Sequence, residues 1–449
     1  MTQTSRLFYQ SRLARPELDR AEGIYLWAKD GKRYLDGSSG AMVSNIGHSN
    51  PAVLEAMRRQ MEKSTFGYRL HFQTEASEAL AEKTAAISPK GLNRVFFVSG
   101  GSEAVESTLK LARQYALARG EAQRFKVISR EPSYHGATLG ALAVTGYAPL
   151  TAPFDPMIRS MPKIPAPRAY LDGLDLDDPA TGLHYADMLE AKILEEGPET
   201  VVAFIHEPVG GASTGALVPP AGYMKRIRET CDRYGVLLIH DEVMSGGGRT
   251  GRFWGAEHWD VAPDLISISK GFGGGYVPLG AMIAREDIVE AVLDAGGFAH
   301  GHTYAGNPLA CAAGLAVIEE IERNDLIGNA ARMGEVLKAR LCGLMNRYSF
   351  IGDVRGKGLL LAFELVSDRV SMAPLPTELN AHDRLVNIAY DKGLIIYSRR
   401  TRGGTSGDHF LVCPPMIVTE EGIDEIMAML TDALDQFATE AGLDVERGA

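Results

Sequence analysis

Cysteine is scarce in this chain: only Cys231, Cys311, Cys342 and Cys413 occur in 449 residues, and they lie far apart. No C-x-x-C pair is formed, which argues against the usual zinc spacings and against a disulfide framework; reduced thiols and a cytoplasmic location are expected. Long hydrophobic runs are missing as well. No stretch reaches the ~18 consecutive apolar residues of a membrane span, and the opening MTQTSRLFYQSRLARPELDR lacks the apolar core of a secretory signal, so no membrane partner is expected. Basic clusters are also absent. The 46 Lys and Arg against 57 Asp and Glu give a net charge of −11, with no basic run to follow a phosphate backbone, so nucleic acid is not an expected partner. No G-x-x-x-x-G-K-[ST] loop, H-E-x-x-H helix or G-x-S-x-G elbow appears. Gly246 to Gly251 satisfies G-x-G-x-x-G, but it starts well past its strand, and Arg252-Phe253-Trp254-Gly255 does not continue as an apolar-periodic helix. A dinucleotide fold is therefore rejected.

What is present is an alternation of short Val/Ile/Phe-rich runs with longer segments at helical spacing. That pattern predicts an α/β fold with a mainly parallel sheet. The predicted strands are Arg94 to Ser99, Phe125 to Arg130, Val201 to His206, Val236 to Asp241, Asp264 to Ser269 and Leu279 to Ala284. Helices are predicted at Glu103 to Arg119 and Ala221 to Tyr234. The Pro-, Asp- and Gly-rich stretch from Asp155 to Tyr185 reads as loop. Beyond Pro308, helical patterns (Leu309 to Glu322, Ile327 to Arg347) lead into short strand-like runs at Gly358 to Phe363 and Leu394 to Tyr397, a smaller α+β domain. Asp30-Gly31 sits between strand-like pieces within Ile24 to Asp36, an expected hairpin. The expected division is 1–60, packing with the small domain; 61–307, the large domain; and 308–449, the small domain.

Several of these elements end in residues suited to chemistry. The strand LISIS runs into Lys270 and then GFGGGYVPLG, so an amine stands at a strand end beside backbone that a ligand can approach closely. Such a lysine is either an edge residue reaching water or, if its pKa is lowered, a Schiff-base amine. Asp241 ends the apolar run VLLIHDEV, where a carboxylate needs a cation or several donors. A protonated pyridine nitrogen would satisfy it, and so would Arg249 or Arg252. VFFVSGGSEAVESTLKLAR is a strand, a turn and an amphipathic helix; Gly101 and Ser102 open that helix as an anion site or as an ordinary cap. Tyr134, in Ser133-Tyr134-His135-Gly136, suits stacking on a flat cofactor or a place in the core, and His135 is a proton carrier or a structural residue. Thr303, in a polar loop before a helix, can donate to a phosphate or close a turn.

Taken in order, GHSNP, SGGSEAVESTLKLAR, SYHG, HEPV, LLIHDEV, GRTGRFWG, SISKGFGGG, HTYAGNP and GLLLAFEL resemble the class III aminotransferases, fold-type-I enzymes dependent on pyridoxal 5'-phosphate. The resemblance covers most of the chain. It implies a mainly parallel seven-stranded sheet between helices in the large domain, with the smaller α+β domain beside it. It implies Lys270 as the Schiff-base lysine, Asp241 as the pyridinium partner, Val243 and Tyr134 on the two ring faces, Gly101 and Ser102 at the phosphate, and Glu207 of HEPV at the cofactor. Thr303 would reach the phosphate of a neighbouring subunit, so a homodimer with shared active sites is implied. Two half-reactions, in which Lys270 carries the proton, would give ping-pong kinetics.

Two departures bear on substrate. Relatives acting on ornithine or 4-aminobutyrate often carry a glutamate five residues after that of the E-P motif; here the position is Ala212. The pattern is more similar to the amine and ω-amino acid:pyruvate branch, in which a mobile arginine near the C-terminus grips the acceptor carboxylate, and Arg399, Arg400 and Arg402 are the candidates. Ala41 and Met42 occupy a position that is often Trp in amine transaminases. Tyr68 and Arg69 are either pocket or interface residues. An amine or ω-amino acid donor and a small 2-oxo acid, with pyruvate expected, follow as partners. A decarboxylase or aminomutase on the same scaffold is the alternative.

Overall fold

The computed structural model describes residues 6–13 and 15–445. Three strands open the chain, β1 (Leu18–Glu22), β2 (Tyr25–Ala28) and β3 (Arg33–Asp36), with the β2–β3 turn made by Asp30 and by Gly31 at φ 87°. The large sheet comprises β4 (Leu92–Val98), β5 (Lys126–Glu131), β6 (Lys163–Pro165), β7 (Val201–His206), β8 (Leu237–Asp241), β9 (Leu265–Ile268) and β10 (Gly280–Arg285). Their order is β4-β10-β9-β8-β7-β5-β6. Only β10 runs against its neighbours. Every residue of β7 is buried, as a strand covered on both faces requires, which is why its sequence reads as an unbroken apolar run.

Residues 155–185 depart from the expected loop. They contain β6, paired parallel to β5 from Ser129↔Lys163 to Glu131↔Pro165, and the start of the helix Pro179–Glu196. Three residues ending in proline offer no alternation to read, and an edge strand tolerates that proline. The helix start is signalled by Asp178, which accepts from the Ala180 N–H at 2.9 Å, with Pro179 in the first position.

The remaining strands are β11 (Ile351–Lys357), β12 (Leu360–Asp368), β13 (Ala373–Pro374), β14 (Leu394–Ile395), β15 (Tyr397–Arg402) and β16 (Ser406–Val412). An antiparallel β11-β12-β16-β15 sheet, with β13 on β12, packs against the helices Leu326–Leu344 and Glu420–Ala441. β14 pairs parallel with β3, which joins the N-terminal strands to the C-terminal part of the chain. Leu35 and Ile46 share one apolar core with Leu394, Ile423 and Leu430. No helix among the described residues is long and apolar enough to cross a membrane.

Register positions the site. His206 lies opposite His240, and Asp241 opposite Ser267, so the chain leaves β7, β8 and β9 at one edge carrying Glu207, Asp241 and Lys270. β4 ends at that same edge and turns into the helix Gly101–Ala118. This is the crevice at the carboxyl ends of parallel strands.

Candidate active site

Lys270 follows β9 with a left-handed backbone, φ 48°, an uncommon conformation for a residue with a side chain. Its side chain faces a cavity of about 150 Å³. Burial pushes the amine down to about 8, and Arg249 adds to the fall, against the opposing charges of Asp241 and Glu207. An amine so lowered carries a usable uncharged fraction near neutral pH.

Asp241 closes another side of the same cavity and is 4% exposed. Its Oδ2 is 2.8 Å from His135 Nδ1, and its Oδ1 accepts from the Val243 N–H at 3.1 Å. With Asp241 ionised, His135 must donate from Nδ1. The sequence left His135 between a proton carrier and a structural residue; what it could not show was this pairing, made across 106 positions of chain. Glu207 accepts from the Gly211 N–H at 2.8 Å through Oε1, while its buried Oε2 has no partner. Burial raises the Glu207 pKa.

The helix Gly101–Ala118 begins at Gly100 without a side-chain cap, so its first N–H groups remain available at the cavity. Ser102 Oγ accepts from the Ala137 N–H at 2.9 Å. A Cβ on Gly101 would stand 3.0 Å from Val243 Cγ1, and one on Gly136, at φ 139°, would lie 2.7 Å from Ser102 Oγ. Neither glycine has space for a larger residue without movement of these walls. Tyr134 and Val243 also line the cavity.

Residues 10–434 match the family model described as aminotransferase class-III. The chain belongs to the class III aminotransferases. It is 35% identical over 424 residues to the putrescine–pyruvate aminotransferase of Pseudomonas aeruginosa, covering 94% of this chain and 91% of that one. The diaminobutyrate–2-oxoglutarate transaminase of Halomonas elongata is 36% identical, with 92% and 89% covered. Among solved structures, the omega transaminase of Pseudomonas jessenii in complex with PMP superposes with a TM-score of 0.91 at 32% identity, covering 98% of this chain and 97% of that one. Members of this family depend on pyridoxal phosphate, so this aminotransferase is a pyridoxal-phosphate enzyme.

The cavity fits that group. It offers a lowered amine for the aldehyde, a carboxylate for the ring nitrogen, uncapped N–H groups for the phosphate, and the unpartnered Glu207 Oε2 toward a polar substituent. The other expected residues are distributed differently. Thr303 is exposed and does not line the cavity of its own chain. Met42 is 2% exposed and packs in a cluster with Val209 and Met244, the latter a cavity residue. Tyr68 is half-buried, with its ring centroid 5.2 Å from that of His71. Arg69 lies over the Phe96 ring at 4.5 Å, away from Lys270.

The three candidate arginines separate clearly. Arg400 Nε donates to the buried Asp408 at 2.9 Å, and Arg402 is held by the Met372 carbonyl and by Glu364 at 3.8 Å. Arg399 is exposed, lies 4.9 Å from the Tyr397 ring centroid and has no carboxylate partner among the described residues. Its charge acts on Tyr134, opposing the rise that burial gives that phenol. Ala212, the position of the missing glutamate, lines the cavity beside Glu207.

Proposed function

We propose that this aminotransferase moves an amino group from an amine or ω-amino acid to a small 2-oxo acid, pyruvate in the first place, by a ping-pong sequence of two half-reactions. The observation that carries this reading is the pairing of an uncommitted Arg399 near Tyr134 with a cavity wall that has only Ala212 where a glutamate could have occupied an arginine. A guanidinium with no carboxylate partner among the described residues can grip a carboxylate through two parallel hydrogen bonds when a 2-oxo acid arrives, and can leave the space to an uncharged amine otherwise. The putrescine–pyruvate relative supports this donor and acceptor; the diaminobutyrate–2-oxoglutarate relative keeps 2-oxoglutarate as the rival acceptor.

When bound, pyridoxal phosphate supplies the aldehyde that takes up the amino group and a ring that withdraws electrons from the substrate carbon. Lys270 would hold the cofactor at rest, and its Nζ, once free, would take the proton from the substrate carbon and return it. Asp241, oriented by His135, would keep a proton on the ring nitrogen. Gly101 and Ser102 would hold the phosphate, Tyr134 and Val243 would confine the ring, and Glu207 would orient it from its open oxygen. Thr303 serves the phosphate of a second copy in a homodimer. Its exposure supports this role, as does the adjacent apolar surface, where Tyr304, Phe66 and Phe72 are all exposed.

A panel of amines and ω-amino acids, each given first without and then with pyruvate or 2-oxoglutarate, tests the reading through the cofactor's visible absorption. The band is expected to be lost on adding amine alone and to return on adding pyruvate. Carbon dioxide release with no acceptor dependence would instead make the protein a decarboxylase.

A further inference from the structure

Arg249 is fully buried, yet no carboxylate forms an ion pair with it among the described residues; the Asp36 charge acts on it only at longer range. Its charge is met by neutral acceptors drawn from three separate parts of the chain. Nε and Nη2 both donate to Asn45 Oδ1, at 3.0 and 2.6 Å, and Nη2 also donates to Ser39 Oγ at 2.9 Å. Nη1 donates to the carbonyls of Leu359, Cys413 and Pro414 at 3.2, 3.1 and 3.1 Å. One guanidinium thus joins the N-terminal segment to the residue just before β12 and to the two residues just after β16.

The connection continues to the reacting lysine. Asn45 Nδ2 donates to the Gly247 carbonyl at 2.9 Å and occupies the space a side chain on Gly271 would need, a Cβ there falling 2.0 Å away. Gly271 follows Lys270 directly. Ser39 Oγ donates in turn to the Cys413 carbonyl at 2.8 Å. The joined segments also carry three non-glycine residues in the left-handed region, Ser39 at φ 50°, Met42 at 57° and Lys270 at 48°. Such conformations persist only where surrounding contacts over-determine them, and they concentrate at sites of function.

We propose that Arg249 is a positioning residue for transamination: through Asn45 and Gly271 it fixes the backbone of Lys270, and through Ser39 it fixes the N-terminal segment whose Met42 packs against the cavity residue Met244. This rests on the reading of Lys270 as the tether. Five rigidly forked N–H donors are needed to reach acceptors on three segments at once, a reach the compact ammonium of lysine lacks. The cation also lies among the charged and titratable groups that act on Lys270, namely Asp241, Glu207 and Cys413, and it opposes protonation there.

Three variants of the holoenzyme test the proposal. Arg249→Lys keeps the charge but loses the fork. Amide hydrogen exchange over 38–46 and 270–274 should quicken by about tenfold or more while 201–206 stays unchanged; kcat should fall. Arg249→Met removes the charge as well, and the pH at which the bound cofactor's visible absorption titrates should rise by ~0.5 or more, whereas Arg249→Lys should leave it in place. Asn45→Ala spares the three carbonyl bonds of Arg249 and should reproduce the faster exchange at 270–274, which covers the case of an unfolded Arg249→Met. A purely structural bolt would lower the melting temperature and leave exchange at 270–274 and the titration as in the parent. That result in Arg249→Lys or Asn45→Ala overturns the proposal. If Lys270 were not the tether, borohydride labelling of the unaltered enzyme would miss it while the exchange result still stood.

Discussion

On the large-domain side of the cavity, three polar side chains are held by neighbours: Asp241 by His135 and the Val243 N–H, Glu207 by the Gly211 N–H, and Ser102 by the Ala137 N–H. On the side of β15, Arg399 is exposed and, among the described residues, meets the Tyr397 ring and, at 3.5 Å, the Ser398 carbonyl but no carboxylate. The first wall is preorganised, as electrostatic work on one constant cofactor requires. Arg399 is left adaptable, as the proposed alternation between an amine and a carboxylate-bearing acceptor would require. If this contrast holds, substitutions on the first wall should damage every substrate alike, and those on the second should discriminate between substrates.

The largest effect should come from Lys270→Ala, which removes the proposed proton carrier. Turnover measured with any donor is expected to fall by about 10³-fold or more. Asp241→Asn keeps the shape but loses the charge, leaving a neutral hydrogen bond to His135 in place of the charge-assisted one; kcat at saturating cofactor should fall about 10²-fold for all donors. A loss confined to one donor would break the contrast between the walls. Arg399→Met should raise KM for pyruvate roughly 10- to 100-fold, the worth of a charge-assisted pair, with the amine half-reaction unchanged in stopped-flow absorption. Arg400→Met should instead lower the melting temperature, because it leaves the buried Asp408 with His382 Nδ1, at 3.3 Å, as its remaining partner among the described residues. The smallest effect is that of pH. In the proposed role Lys270 acts uncharged once it is displaced from the cofactor, and burial has lowered it to about 8, so the maximal rate of the amine half-reaction should climb with pH and level off above about 8. A profile flat from acid to alkaline pH would contradict the role given to its Nζ.

Legibility in the sequence followed the same contrast. β8 is an apolar run closed by Asp241, and β9 is an apolar run with Lys270 two residues beyond its end, so the fold and the placing of these two residues at one sheet edge could be read directly. β6 escaped, since three residues at a sheet edge between Pro-rich turns have no periodicity to detect. The partners that orient the site were hidden for another reason. His135 to Asp241 spans 106 positions and Arg249 to Asn45 spans 204, and no local pattern encodes contacts made at such separations. Choosing among Arg399, Arg400 and Arg402 likewise needed the fold, because the choice depends on which of them Asp408 and Glu364 already engage.

Reduction of the holoenzyme with borohydride, followed by peptide mapping, addresses the central claim most directly. A single phosphopyridoxyl adduct on Lys270, absent after prior treatment with an amine donor, is the expected result. A stable adduct on a different lysine, with Lys270 unmodified, would contradict the account.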